Sequence, residues 1–182
     1  MKIVIGLAGK IGAGKGTVAE YLKKKYKAKQ LVYSDILSDV LRRLDLPVTR
    51  ENLQALGKCL REGLGKDVLV NAMKADVGRG RAEVKLIDGI RYVNEVEMLR
   101  TFPHNVLIFV DAPLDVRYER AKKRGEKGEA HTTPAEFMDR ENAATEKELD
   151  EVKKRADYVL QNTGTIEELH GQMRQLMKGK AY

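Results

Sequence analysis

Two spacings of apolar residues alternate along this chain, one continuous and one recurring every three to four positions. Ile3-Val4-Ile5-Gly6-Leu7-Ala8 is a short, β-branched run with no polar interruption, the pattern of a strand buried on both faces. Val18, Leu22 and Tyr26 then recur every four residues, with Glu20 and Lys23 to Lys25 turned elsewhere, which predicts an amphipathic helix. Gln30 to Tyr33 reads as a second strand, and Ser34-Asp35 as the cap of a helix running to about Asp45, which Pro47 breaks. Thr49 opens a helix with an apolar face of Leu53, Leu56, Leu60 and Leu64. A further amphipathic stretch carries Val68, Leu69, Ala72, Met73 and Val77 and closes at Gly78-Arg79-Gly80.

The alternation continues to the end of the chain. Val84 to Ile87 is a third strand ending at Asp88-Gly89, Val93 to Leu99 a helix, Asn105 to Val110 a fourth strand ending at Asp111, and Leu114 to Lys123 a helix. Gly125 to Thr133 bears glycines and charges and predicts a mobile loop. Two more helical stretches precede a fifth strand, Asp157 to Gln161, and Ile166 to Met177 closes as a helix. This order predicts an α/β fold, a three-layer sandwich around a five-stranded parallel sheet, with ligands at the carboxyl ends of the strands. The polar residues just past those ends are therefore the ones chain geometry gathers: Gly9 to Thr17, Ser34-Asp35, Asp88 to Arg91, Asp111 and Asn162 to Gly164.

The first of these segments carries the chemistry. Gly9 to Thr17 reads G-K-I-G-A-G-K-G-T between the first strand and the first helix, the context of a phosphate-binding loop. Gly9, Gly12 and Gly14 let the backbone curl so that successive N–H groups, including that of Ala13, face phosphate oxygens, and the helix N-terminus adds partial positive charge. Lys15 then reaches the β- and γ-phosphates of a nucleoside triphosphate. Gly16 stands where the general motif has the Ser or Thr that ligates magnesium, and Thr17 follows it.

Length and composition bound the rest. The chain has 182 residues and a net charge of +7, enough for one domain with a full core and too few for two. Several of the lysines sit on the first helix and its exit, so the charge reads as a solvated surface that attracts anionic nucleotides rather than as a nucleic-acid track. A single cysteine, Cys59, excludes an internal disulfide and is expected to be inert filling of the core or its boundary near the leucine face. No apolar stretch reaches membrane-spanning length, and a soluble cytoplasmic protein, monomeric or homodimeric, is expected. His104, His131 and His170 are too scattered to form a metal site or a triad.

With these residues in view, the chain resembles the P-loop nucleotide-kinase group of adenylate kinases, deoxynucleoside monophosphate kinases and dephospho-coenzyme A kinases over nearly its whole length. G-K-I-G-A-G-K-G-T is similar to the adenylate-kinase loop, I-D-G-I-R at Ile87 to Arg91 to the segment after the third strand of those enzymes, and Arg91 to Leu99 to deoxynucleoside monophosphate kinases. Arg155 to Thr165 resembles the closing strand and base-binding loop of dephospho-coenzyme A kinases. The resemblance implies a single P-loop kinase domain with an acceptor-binding insertion at about 34–80 and a lid at about 124–143. ATP or GTP and Mg2+ are then the cofactors, the ion being held mostly through phosphates and waters with Thr17 and Asp88 nearby, and Asn162 and Gly164 lie in the loop facing the donor base.

The remaining candidates are assigned by chemistry. Asp88 ends an apolar strand, as does a carboxylate that holds the hydration shell of magnesium. Arg91 offers a guanidinium fork to an acceptor phosphate. Arg117, Arg120 and Arg124 are spaced as one helical stripe, of which Arg120 and Arg124 are the stronger candidates to neutralise the transferring phosphoryl group, with Arg140 beyond the loop. Asp35, Arg42, Arg50 and Arg61 are the polar contributors on the acceptor side. The predicted activity is Mg-dependent phosphoryl transfer to a nucleoside monophosphate. Two alternatives stand beside it: phosphorylation of a ribose hydroxyl, as in dephospho-coenzyme A kinases and with Asp35 as general base, and a non-metabolic P-loop NTPase or RNA-binding module whose triphosphate binding serves regulation or assembly.

Overall fold

In a computed structural model, residues 3–124, 133–141 and 148–178 are described. Residues 125–132 of the predicted loop at 125–133, and with them 142–143 of the predicted lid, lie outside the described residues. The described residues form β1 (Ile3–Ala8), α1 (Lys15–Tyr26), β2 (Lys29–Val32), α2 (Tyr33–Arg43), α3 (Arg50–Leu64), α4 (Val68–Arg79) and β3 (Val84–Ile90). There follow α5 (Val93–Arg100), β4 (Asn105–Asp111), α6 (Leu114–Arg124), α7 (Pro134–Glu141), α8 (Leu149–Lys154), β5 (Tyr158–Gln161) and α9 (Ile166–Lys178).

The strands make one parallel sheet in the order β2-β3-β1-β4-β5. β1 is central, pairing Ile5 with Leu86 of β3 on one side and with Val106 of β4 on the other. From β1 the chain passes to β2 at the edge, returns to place β3 between them, and then crosses β1 to build β4 and β5, so the carboxyl end of β1 is the switch point where loops diverge and leave a crevice.

Strand periodicity explains why β1 is apolar throughout. Ile3, Ile5 and Leu7 enter one core with Val18 and Leu22 of α1, Val106, Ile108 and Val110 of β4, and Leu169, Met173 and Leu176 of α9. Val4 and Ala8 face the opposite core, with Leu37 of α2, Met73 of α4, Leu99 of α5, Phe109 of β4 and Val152 of α8. Alternate side chains thus serve two helical layers, and no position on β1 is left for a polar residue.

Local differences from the sequence reading have simple causes. Ser34 and Asp35 do not cap α2 but lie in its first turn, with Val32 at the cap position, because the extended β2 runs straight into the helix. Ser38 instead returns its hydroxyl to the Ser34 carbonyl at 2.6 Å. Thr49 does cap α3, accepting from the Asn52 amide at 3.2 Å. The leucine face of α3 is only half covered: Leu53, Leu56 and Leu60 pack against the second core, but Leu64 is 70% exposed. Cys59, expected at that boundary, is exposed. Asp88 and Gly89 fall inside β3 rather than past it, where the pairing with β1 shifts register and Gly89 takes φ 89°.

Phe109 is among the largest fully buried side chains and links the sheet to the layer of α2, α4, α5 and α8. Phe109→Ala is expected to cost about 3–5 kcal/mol, read as a lower urea midpoint at an unchanged m-value.

Candidate active site

The loop between β1 and α1 wraps the carboxyl end of β1. Gly9, Gly12 and Gly14 take φ 144°, 76° and 104°, a region closed to most side chains. At all three the packing is as restrictive as the backbone. A Cβ on Gly9 would collide with the backbone carbonyl of Val110, one on Gly12 with that of Arg117, and one on Gly14 with the amide nitrogen of Asn162. Gly14 is also the cap residue of α1, so the positive end of that helix opens onto the loop. Lys15 lays its ammonium across the loop, donating to the Gly9 carbonyl at 2.5 Å and the Lys10 carbonyl at 3.1 Å.

Two side chains from distant parts of the chain brace this loop. Asn162, just past β5 and 6% exposed, donates its side-chain amide to the Ala13 carbonyl at 2.8 Å. Arg120 of α6 donates to the Asn162 carbonyl at 2.8 Å, joining the predicted stripe to the predicted base loop. Arg117, one turn earlier, is 5% exposed and does something the stripe does not suggest. It donates to the carbonyls of Ala112 at 2.9 Å and Ile11 at 3.2 Å, and it forms a two-pronged ion pair with Glu141 at the end of α7. For Arg124, the structure places the backbone at the end of α6; the side chains of Arg124 and Arg140 are outside the described set.

Near the carboxyl end of β3, Asp88 is half-buried and accepts from Gln30 of β2 at 2.7 Å through one oxygen. Thr17 lies in the first turn of α1, and its hydroxyl and the Asp88 carboxylate are hard oxygen donors of the kind that suits hydrated magnesium. Asp111, also at a strand end, is paired with Lys153 at 2.6 Å and so has a structural partner. Among the described residues no three metal-ligating side chains come together. A cleft of about 570 Å3 continues from Gly16 and Thr17 between α1 and α9, past Tyr21, Lys24, Ile166 and His170.

On the acceptor side the predicted residues separate. Arg42 is exposed and paired with Asp39 at 2.8 Å, away from the sheet end, and Asp35 is exposed on the first turn of α2. Arg61 is half-buried, donates to the Gly57 carbonyl at 3.0 Å and lies 5.2 Å from the centre of the Tyr92 ring. It lines a second cleft, about 350 Å3, together with Lys66, Tyr92, Asn94 and Glu95.

Glu95 was not singled out by the sequence, where it is one acid among many on an exposed-looking helix. It is 3% exposed, accepts from the Arg91 amide at 2.8 Å and the Tyr92 amide at 3.3 Å, and burial pushes its carboxyl up to about 7 against these bonds. The phenol of Tyr33 is pushed up in turn, chiefly by burial and then by the charge of Glu95; its hydroxyl has no hydrogen-bond partner among the described residues. An apolar residue three before and one after Glu95, Tyr92 and Val96, were the available signal that this position faces inward.

These features agree with a match to a family model for an AAA domain (AAA_18) over residues 5–147. The chain belongs to that family. It is also 31% identical to a UPF0200 protein of Sulfurisphaera tokodaii, over 96% of each chain. Among solved structures it resembles TT1252 from Thermus thermophilus, with TM-score 0.64, 22% identity and coverage of 100% of this chain and 99% of that one. It likewise resembles a shikimate kinase from Bacteroides thetaiotaomicron, with TM-score 0.62, 20% identity and coverage of 97% and 98%. The fold is that of P-loop kinases, and no helix among the described residues is long and apolar enough to cross a membrane.

Two outcomes follow from the buried charges. Arg117→Ala leaves Glu141 and two carbonyls without their donor and is expected to cost about 3–5 kcal/mol in denaturant unfolding. Glu95 binds its proton more tightly folded than unfolded, so its contribution is fully present below about 4.5 and is lost as pH rises through about 7. The stability of Glu95→Gln relative to the parent should therefore rise over that window by on the order of 3 kcal/mol and level off above it; a flat difference from pH 4 to 8 would contradict a raised carboxyl.

Proposed function

We propose that this protein transfers the γ-phosphoryl group of ATP or GTP to a nucleoside monophosphate in a magnesium-dependent reaction. The observation that carries the reading is the glycine loop at the switch point of the sheet, bearing Lys15 and facing an acceptor side that holds two half-buried arginines, Arg61 and Arg91. Its family membership and the P-loop kinase fold support ATP-dependent phosphoryl transfer in general. The acceptor is read from this chain's own residues.

In this reading, Lys15 exchanges the carbonyls of Gly9 and Lys10 for the β- and γ-phosphates, and the amides of the loop hold the β-phosphate. Thr17 and Asp88 would hold magnesium through oxygen and water, and the ion would neutralise charge on the phosphate chain. Arg91 binds the acceptor phosphate. Arg120 turns from the Asn162 carbonyl toward the transferring group, with Arg124 beside it, and Asn162 and Gly164 face the donor base. The acceptor phosphate is largely ionised at neutral pH, so no general base is required. The segment at 34–80 serves the acceptor and that at 124–143 covers the donor phosphates.

A hydroxyl acceptor is the second reading, favoured by one observation. Asp35 is exposed on the turn that follows β2, with no hydrogen bond or ion pair among the described residues, as a general base awaiting a substrate proton would be.

A coupled assay across the ribo- and deoxyribonucleoside monophosphates tests the proposal, with turnover of at least one expected. Lys15→Ala should lower kcat by about 100-fold or more with acceptor KM little changed. Triphosphate binding with turnover of none would overturn the reading, and a fall in kcat for Asp35→Asn on a hydroxyl acceptor would favour the second.

A further inference from the structure

Resting on the reading of Arg61 and Arg91 as the acceptor arginines, we propose that Glu95 is the positioning residue of a two-arginine clamp for the acceptor phosphate. It sets both arginines without touching the substrate.

Glu95 bonds directly to the main chain that carries Arg91. One carboxyl oxygen, Oε2, receives the amides of both Arg91 and Tyr92, at 2.8 and 3.3 Å. Arg91 follows β3 immediately, three residues beyond Asp88, so these bonds fix the point where the chain turns from strand into α5. The second arginine is set through Tyr92. The Arg61 guanidinium lies 5.2 Å from that ring's centre, within the range of cation–π attraction, and its Nη1 donates to the Gly57 carbonyl one turn earlier in α3 at 3.0 Å. Orienting Tyr92 therefore orients Arg61, and α3 and α5 meet across the cleft of about 350 Å3 that Arg61, Tyr92 and Glu95 share.

Glu95 is the third residue of α5 and accepts the Tyr92 amide as the acid of a capping box, a place glutamate commonly fills. Such a cap needs no burial, whereas Glu95 is 3% exposed and also accepts the Arg91 amide, and a buried carboxyl carries a desolvation cost. Arg61 from α3, Arg91 from the end of β3 and Tyr33 from α2 face it, and Glu148, before α8, receives the next amide, that of Val93, at 2.9 Å. With a proton on Oε1, Oε2 still accepts both amides. A neutral carboxyl can thus hold the two arginines beside a phosphate dianion without repelling it, and this accords with the upward shift that burial imposes. Glutamine has the same shape and the same accepting oxygen.

The test separates acceptor from donor. Acceptor and donor KM and kcat are measured for Glu95→Ala, Glu95→Gln, Tyr92→Leu and Tyr92→Phe, and nucleoside monophosphate binding is measured by calorimetry without donor. Glu95→Ala and Tyr92→Leu should weaken the acceptor by about 10-fold or more in KM and in Kd with donor KM within about 2-fold, while Glu95→Gln and Tyr92→Phe stay within about 3-fold of the parent. Equal losses for donor and acceptor, or no acceptor loss in Tyr92→Leu, would overturn the clamp; the tyrosine pair decides if Glu95→Ala fails to fold. A parent that binds nucleoside monophosphates with this variant pattern but transfers nothing would overturn the kinase reading and leave the clamp standing. One that binds none of them overturns both.

Discussion

The buried guanidinium of Arg117 is the point on which the site depends. It gathers the Ile11 carbonyl of the phosphate loop, the Ala112 carbonyl at the exit of β4 and the Glu141 carboxylate of α7, three pieces of chain with no covalent reason to meet. An arginine is suited to this because its five donors lie in one rigid plane and it cannot lose its charge on burial. The ion pair contributes little net stability over an apolar pair, but removal of either partner leaves the other charge buried. What the pair provides is placement: the backbone of α6 lies against Gly12 so closely that only glycine fits, and the loop curls in the one shape its three left-handed residues allow.

The same logic recurs around the loop. Asn162 ties the carboxyl end of β5 to Ala13 and packs against Gly14, and Arg120 closes on Asn162. The phosphate loop is thus held by buried polar contacts from both neighbouring segments, and such contacts are directional where apolar packing is not. The side proposed to take the acceptor is built differently, with exposed residues on α2 and α3 and one buried acid, Glu95.

The sequence carried the fold because its cause is local. Strands apolar on both faces and helices apolar on one are visible at the level of single residues, and the sheet at the switch point follows from their order. The phosphate loop was legible for the same reason, since glycines at Gly9, Gly12 and Gly14 mark backbone that other residues cannot adopt. The bracing was not. Arg117, Arg120 and Arg124 look equivalent on a helical stripe, and nothing near them in the chain distinguishes Arg117, whose partners Ile11 and Glu141 lie 106 and 24 residues away. Glu95 was hidden likewise, because what surrounds it comes from other parts of the chain, among them Tyr33 of α2 and Arg61 of α3. Arg42 shows the converse: it looked available, and its local partner Asp39 holds it at the surface.

The central claim is that the loop from Gly9 to Thr17 holds a phosphate chain between Lys15 and the arginines of the acceptor side. A crystal structure with magnesium and a two-headed analogue, nucleoside joined to nucleoside through a phosphate chain, tests it most directly. The account predicts density for a phosphate within hydrogen-bond distance of the amides from Gly12 to Gly16, the Lys15 ammonium moved from the Gly9 carbonyl onto phosphate oxygens, and the far phosphate against Arg91 and Arg61. An analogue bound elsewhere, with Lys15 still on the Gly9 carbonyl, would contradict it.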